Sequence, residues 1–472
     1  MAEKPISESD GIFARAYAKA LEGLLAINLN PDNDILLTSP VTMRGPAAGA
    51  GIYPQMTNYL IYQLGDSLQS STNPSYTGAT VGSYIGQLET YLSWVLLKRD
   101  ISVEAQLQLA EARGNFSTAA ANYRVVEDAA WDRWDKVKGR FPKNFTFARW
   151  IAANEYPEYT AARNTVNVNS AALKQALGQV FGRDAQALNR YIDGVGSALQ
   201  KTASVPSYNQ EALSADKDRI AALTKQGATG VLPPEEDVSK DFTFVPSYSV
   251  GGTYGTEVTQ WKKNAADHKP RDVSITISVQ DGLDTKWEDY GYKQVEGGSG
   301  GGFWPFFYAY VYHEGKEERR ELNTQHREKS IHASLAMIGA GIFPLRADLW
   351  DAPNPKVLFP IVADGAPPDV LGPKFAKISS VMIGYDVELK IDFDEDLRNE
   401  VHQIYEEVKT TKGRMSIFGF WVSAGAGGSS SERVETKFDD VKWSKESGSM
   451  RLPAASGQGA PILLGAIAQK FK

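Results

Sequence analysis

Residues Ser102–Pro142 read SVEAQLQLAEARGNFSTAAANYRVVEDAAWDRWDKVKGRFP. Leu109, Ala112, Phe116, Ala119, Tyr123, Val126, Ala130, Trp134 and Val137 follow one another at steps of three or four. That spacing puts them on one face of a helix. The pattern predicts a helix from Ser102 to Lys138, about 50 Å long at 1.5 Å per residue. Gly139 and Pro142 stand where a helix should stop. A second stripe returns through Leu173, Leu177, Val180, Leu188, Tyr191, Val195 and Ala198, with Asp184 interrupting it. Two such helices joined through a Pro-containing turn should pack antiparallel.

The helical reading extends towards the N-terminus. Phe13, Tyr17, Ala20, Leu21 and Leu24 keep helical spacing behind Ser7 and Ser9, either of which is a suitable cap. Tyr59, Leu60, Tyr62 and Leu64 suggest another helix between polar loops.

After Pro233-Pro234 the period changes to two. Val273, Ile275, Ile277 and Val279 alternate with Ser274, Thr276 and Ser278. Ile383, Tyr385, Val387, Leu389, Ile391 and Phe393 alternate with glycine and charged residues. Both patterns are those of strands with one solvated face. Phe242, Phe244 and Tyr248, followed by Thr253–Trp261, read as a hairpin around Gly251-Gly252. The fold class is therefore α+β: an N-terminal helical bundle with a long antiparallel helical hairpin, then a C-terminal antiparallel, β-rich, sandwich-like domain. The divisions expected are 1–205 helical, 206–240 linker and 241–472 β-rich.

Composition sets limits. The chain has 472 residues, 42% of them hydrophobic and 23% charged, which is ordinary for a globular protein with real cores. A net charge of −7 does not suit a protein whose main work is binding nucleic acid, and no nucleic-acid partner is expected. There is no cysteine, so disulfides, thiolate metal sites and cysteine nucleophiles are excluded. The first residues carry acidic groups where a signal peptide would have a basic and then an apolar region. The expectation is a chain soluble as synthesised, cytoplasmic or exported by a non-classical route.

Chemistry-bearing motifs are few. GGSGGG (297–302) lacks the Lys and Ser/Thr of a phosphate loop. Gly425, Gly427 and Gly428 follow an aromatic strand near the C-terminus and read as a hairpin tip, not a dinucleotide fingerprint. His402 and Glu406 share a helical face, and Arg398 lies one turn earlier; the plain reading is a solvated charge pair. Asp392, Asp394, Glu395 and Asp396 read as a strand ending at Phe393 and a helix starting at Asp394, with acids facing its dipole. No catalytic residue, cofactor or metal is assigned.

Two apolar segments remain as candidate contact surfaces. One is Phe303, Trp304, Phe306, Phe307, Tyr308 and Tyr310, entered through the glycine run; a strand there puts its tyrosines on one face and Ala309 and Val311 on the other. The other is Ser334–Leu345, with Ile338, Ile342 and Phe343. Phe418, Phe420 and Trp421 echo the first, joining an aromatic strand to a glycine cluster in the opposite order. These residues are the candidates for membrane or partner contact, although apolar runs of this length are most often core elements and core burial is the leading reading of both segments.

In overall plan the chain resembles a soluble pore-forming toxin. The likeness is one of architecture, not of motif, so no family's sites are carried over. It implies a non-enzymatic protein that self-associates into a homo-oligomer and engages membrane lipid. The alternative is a scaffold or binding module whose helical hairpin mediates assembly and whose β domain holds a partner. A third reading is an enzyme whose site assembles from scattered residues.

Overall fold

A computed structural model describes residues 7–39, 43–49, 54–76, 82–142, 145–200, 205–208, 242–296, 306–313, 316–423, 435–453 and 461–471. The fold is α+β, with its long helices in the first half and its sheets concentrated in the second.

The long helix is present as its spacing predicts. α4 runs Val103–Val137, and the Ser102 side chain accepts from Ala105 N–H to cap it. A 3₁₀ turn over Lys138–Arg140 then ends it. α5 (Phe147–Ala152) and α6 (Pro157–Phe181) return alongside, with Pro157 at the start of α6, where a missing N–H costs nothing. The second stripe breaks at Gly182–Asp184, and α7 (Ala185–Leu199) turns back along α6, where Asp193 pairs with Lys174 and Asn189 donates to the Lys174 carbonyl. α4 and α6 run antiparallel, with Tyr123 beside Tyr159 and Gln108 beside Gln179, and with α5 they form the helical arm. α1 (Glu8–Leu25) is capped by Ser7, and α2 (Pro54–Gly65) and α3 (Tyr84–Trp94) complete the helical half.

Two short strands in this half were not legible as such. β1 (Asp34–Thr38) and β2 (Leu68–Ser70) are too short to show a period. β1 pairs with the last strand of the chain and β2 with a central one, so N- and C-terminal segments share a sheet.

Beyond Leu199 come β3 (Val205–Tyr208), which pairs with β4 (Phe242–Val245), and then β5 (Tyr248–Val250). Residues 209–241, most of the expected linker, lie outside the described residues. The hairpin expected over 242–261 is corrected. Its second half is a helix, α8 (Tyr254–Ala266), whose buried Tyr254, Val258 and Trp261 are four and then three residues apart. That is helical spacing, and it wins over the short alternation that suggests a strand.

β6 (Val273–Ile277) buries Ile275 and Ile277 and exposes Ser274 and Thr276, as its alternation requires. The short α9 (Val279–Asp284) then lies against α1 so closely that a Cβ on Gly282 would stand 2.2 Å from the Ile12 carbonyl oxygen. β7 (Phe307–His313), β8 (Lys316–Glu321), β9 (Ile331–Met337) and β10 (Gly339–Ala347) follow. After the short α10 (Pro355–Leu358) come β11 (Phe375–Tyr385), β12 (Glu388–Phe393) and α11 (Glu395–Thr410). The last strands are β13 (Arg414–Ile417), β14 (Phe420–Ser423), β15 (Glu435–Lys437), β16 (Lys442–Ser444), β17 (Ser449–Pro453) and β18 (Pro461–Lys470).

Three larger sheets result, in the orders β1-β18-β11-β10-β5, β16-β17-β12-β9-β6 and β15-β14-β13-β7-β8. Their described pairings are antiparallel except β14 with β15. The first two are continuous at a corner. The chain leaves one sheet for the other at Ile338, and again at Asp386, whose φ of 53° turns the strand. Arg271 holds this corner, donating to the Asp386 carbonyl at 2.8 Å and pairing with the Asp386 and Glu388 carboxylates. One large core fills the space between the sheets and α1, α2, α3, α7 and α11. A second, smaller core lies inside the arm.

Candidate functional site

The aromatic segment begins outside the described residues, so Phe303 and Trp304 carry no structural statement. From Phe306 onwards it is a seam. Phe306 stacks on Phe13 of α1 with ring centroids 4.3 Å apart, and meets Phe418 edge-on at 4.5 Å. Asp10 of α1 accepts from Phe306 N–H at 2.6 Å. Burial pushes the Asp10 carboxyl up, against hydrogen bonds from Phe306 and Ser7 that favour its charged form. β7 pairs with β13, Phe307 opposite Ile417 and Tyr308 opposite Ser416, so the two aromatic-and-glycine segments that echo each other in sequence are neighbours in space. Gly413, at the entry to β13, permits this approach: a Cβ there would lie 2.1 Å from the Tyr310 carbonyl oxygen.

The strand splits its faces as alternation predicts. Ala309 and Val311 are wholly buried. Tyr308 is buried, Tyr310 half-buried and Tyr312 exposed. Arg319 lies over the Tyr308 ring at 5.2 Å, and Arg414 over Tyr310 at 4.7 Å and Trp421 at 5.7 Å. This ladder of rings and guanidinium groups is the outward side of the third sheet.

The other candidates sit in the core or at its margin. Phe343 is buried beneath α8, edge-on to Tyr254 at 4.9 Å and Trp261 at 6.1 Å. Ile338 and Ile342 are half-buried at the corner between sheets. Phe420 and Trp421 are buried, and Phe418 is half-buried. Fully burying such a side chain is worth about 1.5–3 kcal/mol. Releasing Phe306, Phe307, Tyr308, Phe343, Phe420 and Trp421 together would therefore cost on the order of 10 kcal/mol or more, comparable to the whole stability of a domain. These rings reach a membrane only if the fold opens.

The motif candidates have structural roles. His402 Nδ1 accepts from Trp443 Nε1 at 2.9 Å, and the two rings stack. α11 starts after Asp394 as expected, but the acids of its first turns serve Arg327, which pairs with Asp396 and Glu400. Among the described residues no group of carboxylates and histidines is arranged to hold a metal.

A feature that the sequence reading passed over lies at the end of the arm. The stretch 131–156 contains Arg133, Lys136, Lys138, Arg140, Lys143 and Arg149 against Asp132, Asp135 and Glu155, a basic excess in an acidic protein. Between these charges stand seven aromatics that build the arm's own core. Trp134 packs 5.6 Å from Trp150 and 5.7 Å from Phe141, Trp131 stacks on Phe147, and Phe141 stacks on Phe145 at 4.8 Å. Trp131, Phe141, Phe145 and Tyr156 are only half-buried. Arg133, Lys136 and Arg140 are exposed and make no ion pair among the described residues. The alternation of rings and cations is visible in the sequence, but the helical period reports only the buried face.

No helix among the described residues is long and apolar enough to cross a membrane. No family model, curated protein or solved structure matches the chain.

Proposed function

We propose that this is a non-enzymatic, self-associating protein that engages membranes, and that it does so with the tip of the helical arm. The observation that carries this reading is the tip itself: half-buried aromatic rings on the same stretch of chain as the exposed cations Arg133, Lys136 and Arg140, which make no ion pair among the described residues. Aromatic rings favour the bilayer interface, and each Lys or Arg near an anionic surface contributes about 1 kcal/mol. The seam residues serve the fold in this reading, and the β body carries the arm.

Flotation with liposomes tests it. Binding is expected to vesicles containing phosphatidylserine and not to pure phosphatidylcholine. Charge reversal at Arg133, Lys136 and Arg140 together should lower partitioning by about a hundredfold or more without moving the melting temperature. A wild-type protein that floats with neither composition sinks the membrane reading. Light scattering on the same samples reads self-association.

A second reading, a scaffold or binding module, is favoured by the outward ladder of Tyr310, Tyr312, Arg319 and Arg414. Tyrosine and arginine are the residues on which protein interfaces most depend. Oligomers that form without lipid and are lost in Tyr312→Ala would support it.

A further inference from the structure

A cavity of about 550 Å³ lies where the arm joins the body, walled by α3, α4, α6 and α7. That volume is within the range of small-molecule sites. Each of these helices contributes an apolar side chain to the lining: Ile85, Phe116, Val166 and Ile192. The same helices contribute the charged groups Glu89, Arg124, Glu127, Asp128, Arg163, Lys174 and Asp193, and most of these are already held by partners. Arg124 pairs with Glu89, and Lys174 pairs with Asp193. Tyr123 donates to Glu127 at 2.8 Å, and the Tyr123 and Tyr159 hydroxyls lie 2.7 Å apart. Burial pushes the Glu89 carboxyl up, and the Arg124 guanidinium opposes this.

Arg163 is the exception. It lines the cavity half-buried, with its guanidinium 6.0 Å from the Tyr159 ring centroid, and makes no ion pair among the described residues. A planar guanidinium beside an apolar wall presents a fork of donors that matches a carboxylate.

We propose that this cavity binds a small organic carboxylate, with its anionic group on Arg163 and its apolar body against Phe116, Val166 and Ile192. The site is separate from the arm tip and does not rest on the membrane reading. An organic amine in the same pose would set its charge beside Arg163, and a neutral analogue would leave the guanidinium without its partner; an amine that bound more tightly than the carboxylate would place the ligand on Glu127 and Asp128 instead and overturn the proposal.

Calorimetry with the full chain and three probes of one shape tests this: 2-naphthoate, 2-naphthylmethanol and 2-naphthylmethylamine. The carboxylate should bind about ten- to a hundredfold more tightly than the alcohol, and the amine most weakly. Arg163→Gln should remove most of that preference and leave alcohol binding within about twofold. Ala120→Trp, which fills the cavity, should abolish binding of both. If the alcohol binds as well as the carboxylate, if R163Q binds naphthoate like wild type, or if no probe binds, the proposal is overturned. Because R163Q changes a half-buried group at the cavity wall, it keeps the test decisive should Ala120→Trp fail to fold.

Discussion

The arm and the third sheet each hold an aromatic cluster, and the two are assembled in opposite ways. The arm draws Tyr123, Trp134, Phe147, Trp150 and Tyr159 from one stretch of chain. The seam draws Phe13, Phe306 and Phe418 from three distant stretches. Local contacts cost little loop entropy to close, so a cluster like that of the arm can open and close by itself. A seam tied through three segments should open only when the body does. The same ring chemistry thus gives an arm that can respond alone and a body that cannot.

The largest expected effect is at the seam. Phe306→Ala should cost about 3–5 kcal/mol of global stability, because it empties a buried site between α1, β7 and Phe418. Melting temperature and denaturant midpoint would both fall. Trp134→Ala removes a ring of the same order but should be felt locally. Hydrogen exchange should lose protection over residues 123–162, while the main transition moves by less than about 1 kcal/mol. If both variants lower the main transition alike, arm and body are one cooperative unit and the comparison fails.

The next effect probes the root of the arm. Asp66, between α2 and α3, is buried and accepts from Ile85 N–H at 2.8 Å. Burial pushes its carboxyl up to about 6 from an ordinary 3.8, although hydrogen bonds from Ser83, Ile85 and Tyr62 and the charge on Lys377 pull the other way. A raised folded-state value means that the protonated form favours the native state. The stabilisation is complete below about pH 3.8 and is lost as pH rises through about 6. The loss amounts to about 3 kcal/mol. In Asp66→Asn, the fall in stability between pH 4 and 7 should shrink by about that amount, read from urea midpoints across pH. Glu89, whose carboxyl is also raised by burial, should keep a residual slope in the variant. An unchanged slope would mean that Asp66 is not the titrating group.

Much of the fold was legible because periodicity survives over long elements. The stripe from Leu109 to Val137 determines α4 and its stop, and Asp184 marks the break before α7. Strand alternation fixes β6, and Ile383–Phe393 lies within one continuous path, although the turn at Asp386 divides it between two sheets. Tyr254–Trp261 misled because Tyr254 and Val258, an even number of residues apart, fit a strand as well as a helix, while the step of three to Trp261 fits the helix alone. β1 offers only Ile35, Leu36 and Leu37, and its strand identity comes from pairing with β18 across the whole chain. The aromatic segments were recognised as apolar, but whether they are core or surface depends on α1, which pattern alone cannot bring to β7. The cavity was invisible for the same reason: Ile85, Phe116, Arg163 and Ile192 come together only through the packing of four helices.

The smallest effect gives the comparison its sharpest form, because two serines make the same bond in the two regions. Ser102 caps α4 through Ala105 N–H, and Ser7 caps α1 through Asp10 N–H. An N-cap serine is worth about 1 kcal/mol. Ser102→Ala should cost about that and fray only the first turn of α4. Ser7 also donates to the Asp10 carboxylate at 2.6 Å, and that carboxylate receives Phe306 N–H from the seam. Its loss should weaken a charge-assisted bond as well, for a total of about 2 kcal/mol, and should lower protection in β7 as well as in α1. Exchange rates at Tyr308 and Tyr310 decide the matter. If Ser7→Ala leaves them unchanged, α1 is capped as locally as α4, and the seam is held by its rings alone.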